Sequence, residues 1–321
     1  MTRTRDNAVA CIGAGNVGRA WAIVFARSGL NVRLFDTSAE SLNDAVDKLK
    51  GSATDLEAAG QIDSAKALIA RVQPTTELSA AVNGVSYVQE SIPERLPLKQ
   101  AVFAELDATC PPDVLLASST SELLPSSFLQ VPLHPERCLV AHPVNPPYLI
   151  PLVELCPAPQ TSEVTIARVE SLLTQCAMVC IRLKKEISGF LLNRLQAAVL
   201  GEAYHLISEG YCSSDDIDRV MTDGLARRWS FIGPLMTGHL NASHGYQQYI
   251  ELLGSTWEAL IDSMRTRTDM SDELISQIVT DMCARIPVDR ISAAQAWRDR
   301  RLMALADHLA NQDTLTKFAA K

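Results

Sequence analysis

The chain has 321 residues, 47% of them hydrophobic, and a formal net charge of −8. That length is too great for one small core and predicts two domains, and that composition excludes a disordered chain. The acidic balance argues against nucleic acid or an anionic membrane surface as a partner.

The first element is an apolar strand over residues 8–12. It runs into Gly13-Ala14-Gly15-Asn16-Val17-Gly18 and a helix over 16–28 that stops at Gly29. In such a Gly-x-Gly-x-x-Gly turn, Gly13 permits the sharp turn and Gly15 lets a pyrophosphate approach the backbone. Gly18 lets the helix pack close to the strand. The helix start at Asn16 and Val17 offers free N–H groups and a positive dipole end to the phosphates. A second strand, 32–35, ends at Asp36, 18 residues after Gly18. That is close to the spacing of a ribose-binding carboxylate. Asp36 would accept both hydroxyls of an adenosine ribose and repel a 2′-phosphate. Thr37-Ser38-Ala39 supplies no arginine to receive one, so the cofactor predicted is NAD rather than NADP.

Thr37 or Ser38 then caps a helix with Leu42, Ala45, Val46 and Leu49 at helical spacing. A helix over 61–70, a short strand at 71–72 before Pro74 and a helical turn at 78–82 follow. Residues 84–90 read as a strand, Pro93 as the start of a helix, and Pro111-Pro112 as its end. Strands at 114–117, 137–141 and 152–156, a helix at 162–176 and a strand at 178–183 complete this part. Strands alternating with helices predict an α/β, Rossmann-type doubly wound, mostly parallel sheet over residues 1–188. From Phe190 the strand signals vanish. A long helix over 190–209 ends at Gly210, and Ser213 or Ser214 caps a shorter one over 215–222 with Gly224 at its end. Helical patterns continue through 246–264, 271–285 and 292–310. Residues 189–321 therefore read as an all-helical substrate and dimerisation domain.

The cysteines are scattered, with no C-x-x-C and no Cys/His metal spacing, so no metal site is expected. Cys11, Cys138, Cys156 and Cys180 sit in apolar runs, as small hydrophobes do. That usage fits a reducing cytosol, so the expected compartment is the cytoplasm. Met1–Asp6 carries two arginines and no apolar signal-peptide core, and no run approaches the length of a membrane span.

In an open parallel sheet, ligands bind beyond the carboxyl ends of the strands. Ser118-Ser119-Thr120-Ser121 follows one strand and His142 follows the next. Glu154 lies inside a third, between Val153 and Leu155, where a charge is costly without a partner. A histidine one strand away is the natural partner. A His held by a carboxylate takes a proton while the carboxylate stabilises the imidazolium. Alcohol oxidation by NAD requires such a base. A structural turn histidine and an arginine-paired Glu154 are the alternatives that the residues leave open.

Several segments carry a resemblance: 13–22, Gln-Glu-Ser-Ile-Pro-Glu at 89–94, Val-Ala-His-Pro-Val-Asn-Pro-Pro-Tyr at 140–148, Ile-Pro-Leu-Val-Glu-Leu at 150–155, Gly-Phe-Leu-Leu-Asn-Arg-Leu-Gln at 189–196 and Phe-Ile-Gly-Pro-Leu at 231–235. In these the chain resembles the 3-hydroxyacyl-CoA dehydrogenase family. The resemblance implies four catalytic positions. His142 is the general base and Glu154 orients it, while Ser121 hydrogen-bonds the substrate oxygen and Asn193 lies near that oxygen. It also implies that Glu94 and Lys99 contact the nicotinamide half of the cofactor. Taken alone, those two are an i,i+5 pair at a helix start and read as solvated. The family's Ser-Asn-Thr-Ser has Ser119 in place of the Asn here.

The resemblance implies oxidation of a 3-hydroxy acid to a 3-keto acid. L-Gulonate is the leading substrate, with 3-hydroxybutyrate, carnitine or a 3-hydroxyacyl-CoA as alternatives. No lysine cluster marks a CoA site. Arg228, in Arg227-Arg228-Trp229, is a candidate fork for a free carboxylate, and a solvated helix-end charge is its bland reading. The resemblance also implies a homodimer through the helical domain. A structural NAD-binding protein without turnover is the non-enzyme alternative, and it need not keep Ser121, His142, Glu154 and Asn193 together.

Overall fold

The computed structural model describes residues 7–264 and 270–312, which fall into two compact units. One takes the chain up to Asn193 together with Asp299–Ala304. The other takes Arg194–Arg298 and the residues from Leu305.

In the first unit β1 (Ala8–Ile12), α1 (Asn16–Arg27) and β2 (Asn31–Phe35) form the opening βαβ element. Next come α2 (Ala39–Ala58), α3 (Ala65–Ala70), β3 (Val72–Thr75), α4 (Leu78–Val82), β4 (Tyr87–Glu90) and α5 (Leu96–Thr109). The rest is β5 (Leu115–Ser118), α6 (Pro125–Phe128), β6 (Cys138–Pro143), β7 (Leu152–Pro157), α7 (Glu163–Gln175) and β8 (Val179–Arg182), with α8 (Leu192–Ser208) starting at the unit's end. The sheet order is β3-β2-β1-β4-β5-β6-β7-β8, and every neighbouring pair is parallel except β6 and β7. This is the Rossmann-type architecture expected. Only residues 144–151 join β6 to β7, too few for the crossover that a parallel pair needs, so these two run antiparallel.

Helices cover both faces, so β1, β4, β5 and β6 are buried along their length. Alternate residues of β1 serve opposite cores. Val9 and Cys11 join Trp21, Phe25, Leu49 and Val169 on one side. Ala10 and Ile12 join Phe103, Leu106 and Phe128 on the other. All the cysteines are free thiols, and burial pushes those of Cys138 and Cys156 up to about 12. No helix among the described residues is long and apolar enough to cross a membrane.

Several boundaries differ from the sequence reading. α3 starts at Ala65 because the Ser64 hydroxyl accepts from Ala67 N–H and caps it. β3 continues through Pro74, which an edge strand tolerates because its N–H side has no neighbour. Pro93 lies in a loop, and α5 is opened by Pro97 instead, after Arg95. Phe190 stands outside α8 with φ of 51°, a left-handed conformation uncommon for a bulky residue.

The second unit is helical: α9 (Ser214–Arg219), a π-helical stretch over 220–225, α10 (Ala226–Trp229), α11 (Pro234–Leu240), α12 (Gly245–Ser263), α13 (Asp272–Arg285) and α14 (Ile291–Ala310), of which Asp299–Ala304 count with the first unit. Ser213 and Asp216 form a reciprocal capping box on α9. Gly224 does not end this helix as expected. It lacks the positive φ that lets Gly210 (φ 73°) stop α8, and the chain winds on through the π stretch into α10. Arg285 of α13 bridges to Asp215 and Asp218 of α9 at 3.5 and 2.7 Å.

Candidate active site

The β1–α1 turn fits a dinucleotide. Gly13 has φ of 101°, and a methyl placed on it would lie 2.7 Å from the Ser91 carbonyl oxygen. A methyl on Gly18 would lie 1.8 Å from the Gly13 carbonyl oxygen, so neither position admits a side chain. Gly15 differs, because its Cβ direction meets nothing within 4 Å. Its missing side chain therefore leaves open room rather than relieving a clash inside the protein. That room belongs to a cavity of about 870 Å³ lined by Gly13, Ala14, Gly15, Asn16, Val17 and Asp36. As the residue before α1, Gly15 brings no side-chain cap, so first-turn N–H groups remain for a phosphate. Asp36 sits across the turn, its Oδ2 accepting from Ala14 N–H (2.9 Å) and its Oδ1 from Ser38 N–H (3.0 Å). Those two bonds orient the carboxylate at the end of β2.

The His142–Glu154 pair forms as expected. The antiparallel register sets the two residues directly opposite each other, and His142 Nδ1 lies 2.9 Å from Glu154 Oε2. Glu154 Oε1 accepts from the N–H groups of Leu191 (2.8 Å) and Leu192 (3.0 Å) at the start of α8. A carboxylate from a strand thus does the work of a helix cap, and it starts α8 later than the sequence reading had it. Burial alone would push the Glu154 carboxyl up. The hydrogen bonds from His142, Leu191 and Leu192 outweigh it and hold the group below the ordinary carboxylate range. The His142 ring packs on buried Phe190, with centroids 5.3 Å apart. With Nδ1 engaged by a carboxylate, Nε2 is the ring nitrogen left to accept a proton.

Ser121 and Asn193 are also brought together. Asn193 Nδ2 donates to the Ser121 carbonyl oxygen at 3.0 Å, and the Ser121 side chain is exposed. Three consecutive residues at the start of α8 therefore fix the base's carboxylate and the Ser121 loop. Lys99 is not the solvated group that its spacing suggested. It is 1% exposed, its Nζ donating to both oxygens of buried Glu90 at 2.8 and 3.1 Å. Ser118 Oγ donates to Glu90 Oε2 at 2.6 Å. Glu94 stays exposed, 3.9 Å from Lys99 Nζ, and accepts from the Thr120 hydroxyl. Ser119, the departure from the family motif, accepts from Trp21 Nε1 (3.1 Å) and Gln89 Nε2 (2.7 Å).

The sequence reading missed Glu90, Gln89 and Phe190. The signal for the first two was available: polar side chains inside the buried strand β4 demand partners, as Glu154 did. In the helical unit Arg228 lines a separate cavity of about 590 Å³ with Trp229, Tyr246, Tyr249 and Trp257. Arg227 pairs with Asp223 at 3.3 Å, whereas among the described residues no carboxylate pairs with Arg228.

Residues 8–187 match the 3-hydroxyacyl-CoA dehydrogenase NAD binding domain, and residues 189–275 match the 3-hydroxyacyl-CoA dehydrogenase C-terminal domain. The chain is 40% identical to lambda-crystallin of Oryctolagus cuniculus, over 93% of this chain and 95% of that protein. It is 31% identical to an L-carnitine dehydrogenase of Pseudomonas sp, over 95% and 94%. Among solved structures, (S)-3-hydroxybutyryl-CoA dehydrogenase from Ralstonia eutropha aligns with a TM-score of 0.65 at 27% identity, covering 79% of this chain and 88% of that one. An NAD+ dependent dismutase, 5-formyl-3-hydroxy-2-methylpyridine 4-carboxylic acid 5-dehydrogenase, shares the fold with a TM-score of 0.82 at 24% identity, over 96% and 100%.

Proposed function

This chain belongs to the 3-hydroxyacyl-CoA dehydrogenase family and is an NAD-dependent dehydrogenase; on that premise we propose that it oxidises the 3-hydroxyl of a small 3-hydroxy acid, L-gulonate foremost. The observation that carries the reading is the 2.9 Å His142–Glu154 contact, with Glu154 anchored on α8. His142 Nε2 takes the proton of the substrate hydroxyl. Glu154 keeps the other ring proton on Nδ1 and stabilises the imidazolium that forms. Bound NAD supplies the hydride acceptor. Gly13, Gly15, Asn16, Val17 and Gly18 would hold its pyrophosphate, Asp36 its adenosine ribose and Glu94 its nicotinamide half; Lys99, expected there too, is buried with its Nζ on Glu90 and would act only by positioning that segment. Ser121 and the second N–H of Asn193 Nδ2 are assigned to the reacting oxygen.

Three features favour a free acid over an acyl-CoA. The chain is acidic, it has no lysine cluster for CoA phosphates, and Arg228 has no carboxylate partner among the described residues. Arg228 is assigned the substrate carboxylate. The L-carnitine dehydrogenase relatives make L-carnitine the second candidate. A homodimer through the helical unit is part of the proposal. α12 buries none of its residues, and Leu252, Trp257 and Ile261 are exposed on it. Light scattering tests the dimer. NADH formation across L-gulonate, L-carnitine, L-3-hydroxybutyrate and a 3-hydroxyacyl-CoA tests the substrate. His142→Ala should cut turnover at least 10²-fold while NADH still binds. Near-wild-type turnover by that variant ends the mechanism.

A further inference from the structure

Ser91, the residue after β4, closes on the glycine turn. Its N–H donates to the Ile12 carbonyl oxygen at 2.7 Å, and the residue lines the same cavity as Gly13, Ala14, Gly15 and Asp36. Behind it lies a polar network whose protons can be counted. Trp21 Nε1 can only donate, and it donates to Ser119 Oγ. The Gln89 amide lies 3.3 Å from the Ala141 carbonyl oxygen, which can only accept, so the amide atom there is Nε2. That same Nε2 lies 2.7 Å from Ser119 Oγ, and Gln89 Oε1 faces the Tyr87 hydroxyl. Ser119 Oγ thus receives two hydrogens and has no acceptor site left. Its single proton goes to its remaining neighbour, Ser91 Oγ, at 2.9 Å. Having accepted there, Ser91 Oγ must direct its own proton elsewhere; among the described residues no other acceptor takes it, and Ser91 is a lining residue of the cavity.

We propose that the Ser91 hydroxyl is a hydrogen-bond donor to the NAD pyrophosphate, its direction set by the Trp21–Gln89–Ser119 network. A freely rotating serine would spend part of its time donating to a protein acceptor. Here the network takes that option away, so the hydroxyl meets an anion already oriented. The pyrophosphate is the anion that the adjoining glycine turn serves. The proposal concerns NAD alone and does not depend on which hydroxy acid is oxidised.

The test is binding rather than turnover. NADH fluorescence titration gives the affinity of NADH, and competition against NADH gives that of ADP-ribose and adenosine. Ser91→Ala should weaken NADH and ADP-ribose by about ten-fold, the worth of one hydrogen bond to a charged group, and leave adenosine unchanged. NADH affinity within about two-fold of wild type overturns the proposal. So does an equal loss for adenosine, which would mean a distorted pocket and not a lost phosphate contact. Ser119→Ala keeps the Ser91 hydroxyl but removes the group that orients it. It should weaken NADH by roughly three-fold with adenosine unchanged, and wild-type NADH affinity in that variant overturns the directing role.

Discussion

Replacing Glu154 by Gln sets two hydrogen-bond demands against each other. In the native pair, Oε1 accepts two N–H groups of α8 at 2.8 and 3.0 Å, and Oε2 accepts from His142 Nδ1 at 2.9 Å. An amide has one oxygen and one NH₂ for these three donors. If the oxygen turns to His142, the NH₂ faces Leu191 and Leu192, and two part-buried donors lose their acceptor, at up to about 1–3 kcal/mol each. If the oxygen stays on α8, the NH₂ faces Nδ1. Nδ1 must then accept, which moves the ring proton to Nε2, the nitrogen meant to take the substrate proton. The second arrangement avoids up to about 2–6 kcal/mol of unsatisfied donors and prevails. The variant should fold with α8 intact and carry the wrong tautomer. The same carboxylate-to-amide change in a Ser-His-Asp triad costs about 10⁴ in kcat, and a loss of roughly 10³- to 10⁴-fold is expected here. Each factor of ten is about 1.4 kcal/mol, so the barrier rises by about 4–5.5 kcal/mol.

The assay is NADH formation with the best substrate of the panel, alongside NADH affinity and thermal melting. Affinity should stay near wild type, and Tm at neutral pH should fall only by the stability that the ionised carboxylate contributes. The native carboxyl is held below its ordinary range, so Glu154 remains ionised as pH falls from neutral, and the acid limb of the wild-type rate profile is not its titration. The stability that the pair contributes is present above the unfolded carboxyl pKa of about 4.3 and is lost as pH falls through the lower folded value. Glu154→Gln should remove that acid-side dependence of stability. A folded Glu154→Gln enzyme within about ten-fold of wild-type kcat would refute the orienting role.

Gly15→Ala should leave Tm unchanged, because its Cβ meets no protein atom within 4 Å, and should weaken NADH at least ten-fold, roughly the loss of one phosphate contact. A variant that binds NADH normally would mean that the space at Gly15 is not cofactor space. Asp36→Ala combined with Thr37→Arg should shift the NADP-to-NAD ratio of kcat/KM by roughly 10- to 100-fold, the worth of one charged hydrogen bond. Unchanged ratios would sink the ribose assignment. Arg228→Met should raise KM for a free hydroxy acid by roughly 10- to 100-fold with little change in kcat. An unchanged KM removes Arg228 from the site.

What the sequence disclosed about this site depended on how far apart the partners lie in the chain. The glycine turn is local: the strand, the three glycines and the helix start are contiguous, and Asp36 follows at a fixed spacing. His142 and Glu154 were inferable for a different reason. They sit on consecutive strands, and a charge inside an apolar strand must be answered by a neighbour. The same rule applied to Gln89 and Glu90 but names no partner. Glu90 is answered by Lys99 from a helix and by Ser118 from the next strand, and Gln89 by Ser119 and by the Ala141 carbonyl. Lys99 itself follows Leu98 in a run where a one-residue rotation of the helix decides which side chain is buried, and the structure buries Lys99 and leaves Leu98 half-buried. The end expected at Gly224 failed for a related reason. A glycine permits a left-handed residue but does not require one, and α9 instead continues through the π stretch. Polar residues in buried strands therefore state that a partner exists. Only the sheet order and the helix rotation say which, and both are set by packing over the whole unit. Ser91 is the extreme case: it is an ordinary loop serine until three side chains, from α1, β4 and the β5 end, fix where its proton can go.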